Sequence, residues 1–204
     1  STALRAHYGA GRNMPVVLHV GRLAAEKNMP VLFDAFARIR HHRPESVSLV
    51  VGDGPERARL EREHPECHFT GMLTGAALAE HYASADMFLY PSLTETFGNV
   101  TLEAMASGLA VVAFDYAAAR EHIRHMQNGA CVPFGDTRLF AEMASAIARS
   151  PARQHLIRCA ARATAERLGW DSVHERFLAE LSAAAFHQVP SRDLPQEVHA
   201  VATP

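Results

Sequence analysis

Lysine is almost absent from this sequence. Of its 20 basic residues, 19 are arginine, and Lys27 is the single lysine. No block of like charge stands out along the 204 residues, and the formal net charge is −2. This argues against nucleic acid as a partner, because such a surface needs a clustered basic face. Cysteine is scarce too: Cys67, Cys131 and Cys159 are far apart, odd in number and never in a CxxC pair. That pattern argues against a disulfide framework and suits a reducing cytoplasm. Apolar runs are short. None approaches the roughly 20 residues that a membrane-spanning helix needs. The opening residues show no basic-then-apolar leader pattern. Peripheral contact with the inner face of a membrane stays compatible with all of this.

What is present suits one α/β domain with a substantial core, since 48% of the residues are hydrophobic. The segments VVLHV, SVSLVV, CHFTG, MFLY, LAVVAF and ACVPF read as short strands. Helical patterns alternate with them: from near Pro30, over 56–64, 76–83 and 99–107, after Asp136, and over 151–167 and 172–187. Asp136 and Asp171 are candidate helix caps. Strands alternating with helices predict a parallel, doubly wound, Rossmann-like sheet. Near-continuous apolar strands fit a sheet covered on both faces. Residues 1–15 read as a lead-in or linker, 16–187 as the folded domain, and 188–204, with three prolines and no periodicity, as a tail. Ligands of such sheets lie at the carboxyl ends of the strands. That rule selects the loops at 21–28, 52–55, 71–75 and 91–99.

Two segments carry chemistry. In VGRLAAEKN, the first strand delivers Gly21 and Arg22, with Lys27 five residues on. Glycine allows close backbone approach, arginine forks onto phosphate, and lysine adds a point charge. In PSLTETFGNVTLEAMASG, Glu95 and Glu103 stand eight positions apart. Between them, Phe97, Gly98 and Asn99 lead into a helix N-terminus, whose free N–H groups and dipole favour an anion. Carboxylates are natural acceptors for sugar hydroxyl protons.

The order GRLAAEK, VVGDGP, FTG, YPSLTETFGNVTLEAMASGLAVVA resembles the C-terminal domain of the family 4 (group 1) retaining glycosyltransferases. The resemblance runs over residues 16–187. It implies a B-type fold, two facing Rossmann-like domains with the donor in the C-terminal one. It implies that a nucleoside diphosphate sugar is the donor substrate, that Arg22 and Lys27 bind its diphosphate, and that Glu95 with the backbone of Phe97, Gly98 and Asn99 holds the sugar. Glu103 would take the ribose hydroxyls, while Gly21, Gly52 and the loop after Gly71 would flank the nucleotide. No cofactor or metal is required on this reading. Thr96 stands where many members carry glycine, and Asn28 where glycine usually follows the lysine. The variant ETFGNVTLEAMASG is similar to members that move mannose or sulfoquinovose to lipids. An N-terminal acceptor domain is then the expected partner, and the chain would be a fragment that binds donor without turnover.

His41–His42 and His122/His125 show no third metal ligand, and surface histidines explain them. Asp86 and Asp115 fit turn or capping roles. Glu121 is a further candidate, at a position often acidic in the family. A glycoside hydrolase would also use paired carboxylates, but has no need of the Arg22/Lys27 segment. A sugar-nucleotide epimerase of the same fold and a non-catalytic nucleotide-binding module remain the alternatives.

Overall fold

The computed structural model describes residues 1–169. Six strands form one sheet: Val16–Val20 (β1), Val47–Val51 (β2), His68–Gly71 (β3), Met87–Tyr90 (β4), Ala110–Phe114 (β5) and Ala130–Val132 (β6). Their spatial order is β3-β2-β1-β4-β5-β6, and every neighbouring pair is parallel. β1, β4 and β5 are buried at every position. This explains their unbroken apolar runs, because both faces of the sheet are covered. The doubly wound α/β class expected from the sequence is the observed one.

The helices are Thr2–His7 (α1), Met29–His42 (α2), Arg57–Glu63 (α3), Gly75–Ser84 (α4), Asn99–Ala106 (α5), Ala117–His122 (α6), Thr137–Ala148 (α7) and Pro151–Glu166 (α8). Successive strand residues point to opposite faces. One face buries Val17, Val50, Leu89 and Val112 with Leu32 and Phe36 of α2 and Phe140 and Ala144 of α7. The other buries Leu18, Leu49, Phe88 and Val111 with Tyr82 of α4, Met105 of α5 and Ala161 of α8. The strand order reverses between β1 and β4, so a crevice opens there at the carboxyl end of the sheet.

Asp136 caps α7 as expected, accepting from Leu139 N at 2.9 Å. Three short elements were not expected: α1, α6, and a 3-10 turn at Ala25–Lys27. In the lead-in, Arg5 of α1 donates to Ser84 O, Gly11 O and Met14 O and pairs with Asp86 at 2.9 Å. Asp86 also accepts from Val16 N at 2.9 Å and Arg158 Nη1 at 2.6 Å. It ties α1, β1 and α8 together at the amino end of the sheet, far from the crevice. The helix expected over 172–187, its Asp171 cap and the tail lie outside the described residues.

Candidate functional site

The strand ends carry the site, and the first feature is steric. Gly52 follows β2 with φ +138°, and a Cβ there would lie 1.8 Å from Gly21 O. Only glycine fits this crossing. Gly21 N donates to Val51 O at 3.0 Å, and Gly52 N to Gly71 O at 2.8 Å. The ends of β1, β2 and β3 are thus laced together beneath an open cavity of about 480 Å³. Val20, Val51, Met72 and Leu73 give it apolar walls, with Gly21, Arg22, Gly52 and Asp53 at its edge. The Arg22 side chain is 68% exposed and meets Glu26 Oε1 at 3.8 Å.

Lys27 closes the 3-10 turn after β1. The turn is fixed to the β4 loop by Leu93 N donating to Glu26 O at 2.9 Å. Lys27 Nζ forms an ion pair with Glu95 Oε1, both side chains only 14–15% exposed. It also donates to Tyr90 Oη and Ser92 Oγ at 3.2 Å each and to Thr94 O at 3.3 Å. Tyr90 Oη and Ser92 Oγ donate in turn to Glu95 Oε1, at 2.5 and 2.7 Å. Desolvation works to raise the Glu95 pKa, but Lys27, Tyr90 and Ser92 outweigh it and hold the carboxyl below its ordinary value. Burial, with Glu95 beside it, pushes the Tyr90 phenol up, so it stays a donor.

Beneath this cluster lies His19 of β1, 1% exposed. Its ring stacks on Tyr90 with centroids 5.7 Å apart. Nδ1 lies 3.1 Å from Leu89 O, an acceptor, which assigns the proton to Nδ1. Among the described residues, Nε2 is buried without a hydrogen-bond partner. Desolvation pushes this imidazole down from 6.5 to about 4.

The second segment forms the other wall. Gly98 has φ +91° and precedes α5, whose start has no side-chain cap. Thr101 N donates back to Gly98 O at 2.9 Å, which leaves the N–H groups of Asn99 and Val100 available to an anion. Phe97 is 49% exposed. The loop is buttressed from α6: Ala118 N donates to Phe97 O at 2.9 Å, and Tyr116 Oη to Glu95 O at 3.3 Å. Glu103 is exposed and accepts from Tyr82 Oη of α4 at 2.9 Å. Glu121 lies on α6, with His122 Nε2 at 3.7 Å.

Of the residues expected from sequence, Lys27 and Glu95 are in direct contact, although 68 positions apart. Gly21, Arg22 and Gly52 border the cavity, and Phe97 and Gly98 lead into α5, which Asn99 starts. Arg22 and Glu103 stand apart from the Lys27 cluster and keep other partners. Sequence reasoning missed Tyr90, Ser92 and His19. A histidine interrupting the apolar run VVLHV was the readable signal for the last.

Residues 14–150 match the family described as glycosyl transferases group 1. A GDP-mannose-dependent alpha-mannosyltransferase of Mycobacterium tuberculosis is 43% identical over 123 residues, 60% of this chain and 31% of that protein. Sulfoquinovosyl transferase SQD2 of Arabidopsis thaliana is 44% identical over 101 residues, 48% of this chain and 19% of that protein. Among solved structures, Anabaena Alr3699/HepE in complex with UDP aligns with a TM-score of 0.74 at 26% identity, over 89% of this chain and 52% of that one. The chain therefore spans less than a third of these two curated relatives.

Proposed function

This chain belongs to the group 1 glycosyltransferases, and from that membership we propose that it is the donor-binding part of a retaining enzyme. The enzyme moves a hexose-type sugar from a nucleoside diphosphate sugar, GDP-mannose or a UDP-sugar, to a lipid or glycan acceptor. The observation that carries this reading is the Lys27–Glu95 pair at the sheet's switch point, which joins a phosphate-suited segment to a sugar-suited one. The relatives' names support the donor class: one uses GDP-mannose, and a structural neighbour holds UDP.

In the mechanism, the leaving diphosphate gathers negative charge as the anomeric bond breaks. Lys27, Arg22 and the N-terminus of α5 stabilise that charge, the helix N–H groups being fixed before the reaction and the two side chains turning onto the phosphates. Arg22 gives up only a loose contact with Glu26 to reach a phosphate. Glu95 positions the sugar and need not be a nucleophile, and Glu103 takes the ribose. The acceptor hydroxyl attacks from the face the leaving group departs, which retains configuration. The acceptor itself is held by a separate N-terminal domain. The cytoplasm, at the inner face of a membrane where lipid is the acceptor, is the matching location.

Titration of the chain with GDP, UDP and ADP, and with their sugar conjugates, tests the reading. Glu103→Gln should weaken the bare nucleotide by roughly 1–2 kcal/mol, since ribose is present in it. Glu95→Gln should weaken the nucleotide sugar more than the nucleotide. Equal weakening of both ligands by Glu95→Gln, with none from Glu103→Gln, would mean that the two roles are wrongly assigned.

A further inference from the structure

Glu95 is held in an uneven way. Lys27 Nζ, Tyr90 Oη and Ser92 Oγ all reach Oε1. Among the described residues, Oε2 has no hydrogen-bond partner. One carboxylate oxygen is thus an anchor and the other is open. The ammonium that supplies the charged anchor is itself shared. Lys27 has three N–H groups and lies within reach of four acceptors. A diphosphate entering beside it competes with Glu95 for those protons.

Tyr90 is not subject to that competition, and the one proton of Ser92 Oγ, which also has Thr94 O at 3.1 Å, lies nearer Glu95 Oε1 at 2.7 Å. Tyr90 ends β4, is 5% exposed, and packs its ring against Phe88 at 5.5 Å and His19 at 5.7 Å. Ser92 is 4% exposed. Both hydroxyls stand on supports that ligand binding has no need to move.

We propose that Tyr90 and Ser92 are positioning residues, which hold Glu95 by Oε1 and keep Oε2 presented to the sugar when Lys27 turns to the diphosphate. The inference rests on the donor-binding reading above. It makes the lysine free to serve the phosphate without loosening the sugar side.

The test uses Tyr90→Phe, which keeps the ring and its stacking and removes only the hydroxyl, and Ser92→Ala as an independent variant. GDP and GDP-mannose, and UDP and UDP-glucose, are titrated into each. The bare nucleotide should bind within about twofold of wild type, and the matching nucleotide sugar should weaken roughly five- to tenfold, less than a full hydrogen bond to a charged group because Glu95 keeps its other anchors. Loss of a donor to the carboxylate should also move the acid limb of sugar-dependent binding to higher pH. A purely structural role would weaken both ligands alike and leave that limb in place. Equal weakening, or no weakening in either variant, overturns the inference while the donor-binding reading stands. A sugar contribution that Glu95→Gln leaves intact overturns it too, since Tyr90 would then have nothing to position. A wild-type chain that binds neither pair overturns the reading and the inference together.

Discussion

At the scale of single residues, the Lys27–Glu95 pair carries a stability consequence. With both side chains about 15% exposed, removing one leaves the other's charge poorly solvated. Lys27→Ala should therefore destabilise the fold by about 1–3 kcal/mol, and adding Glu95→Gln should recover part of the loss. Denaturant unfolding of the two single variants and the double variant measures this, with a coupling of about 1–2 kcal/mol expected and strict additivity speaking against it. His19 gives a pH signature. Its folded pKa is depressed from 6.5 to about 4 by burial. Above pH 6.5 both states are neutral and the full stability is present. As the pH falls towards 4, the unfolded chain takes a proton that the fold refuses, so stability is lost over that window. The loss attributable to His19 should reach about 3 kcal/mol. His19→Phe should flatten the stability profile between pH 6.5 and 4, and an unchanged slope would mean that the imidazole protonates in place. The residue types of the site were legible in the sequence, as Lys27 and Glu95 were selected for their chemistry. Their partnership was not, because it depends on strands brought together across 68 positions. Tyr90 and Ser92 looked like a strand end and a turn, and only burial reveals that their hydroxyls face a charge.

At the scale of elements, the start of α2 explains one departure from the family pattern. Asn28 takes φ +53° between the 3-10 turn and α2, a left-handed conformation. Asparagine tolerates that region better than other side chains, which is why it can stand where glycine is usual. Asn28→Gly should be close to neutral, and Asn28→Ala should cost about 1–2 kcal/mol. Thermal unfolding of the two variants separates these outcomes, and an Asn28→Ala as stable as Asn28→Gly would remove the conformational argument. Strands were legible because buried parallel strands leave unbroken apolar runs. α2, α7 and α8 were legible from 12 or more residues of helical pattern with caps or prolines at their starts. α1 and α6 have six residues each, too few for a 3.6-residue period to show. α6 nonetheless matters to the site, because Ala118 supports the backbone of Phe97, and Tyr116 just before the helix supports that of Glu95.

At the scale of the whole molecule, the order β3-β2-β1-β4-β5-β6 decides where chemistry gathers. The two chemically suggestive segments follow β1 and β4, the strands that flank the reversal, so the fold alone brings them face to face. All the groups named in the mechanism are donor-side groups. The 204 residues alone should bind a nucleoside diphosphate and transfer no sugar. A transfer assay showing repeated turnover by this chain alone would contradict that division of labour. Whether the single lysine grips the diphosphate is read by calorimetric titration of GDP and UDP into wild type and Lys27→Ala. The comparison is made at a temperature where circular dichroism shows both chains folded. Wild type should bind one of the two nucleotides, and Lys27→Ala should lose roughly 1.5–3 kcal/mol of that affinity, the value of a hydrogen bond to a charged group. Unaltered affinity in Lys27→Ala would contradict that role of the lysine.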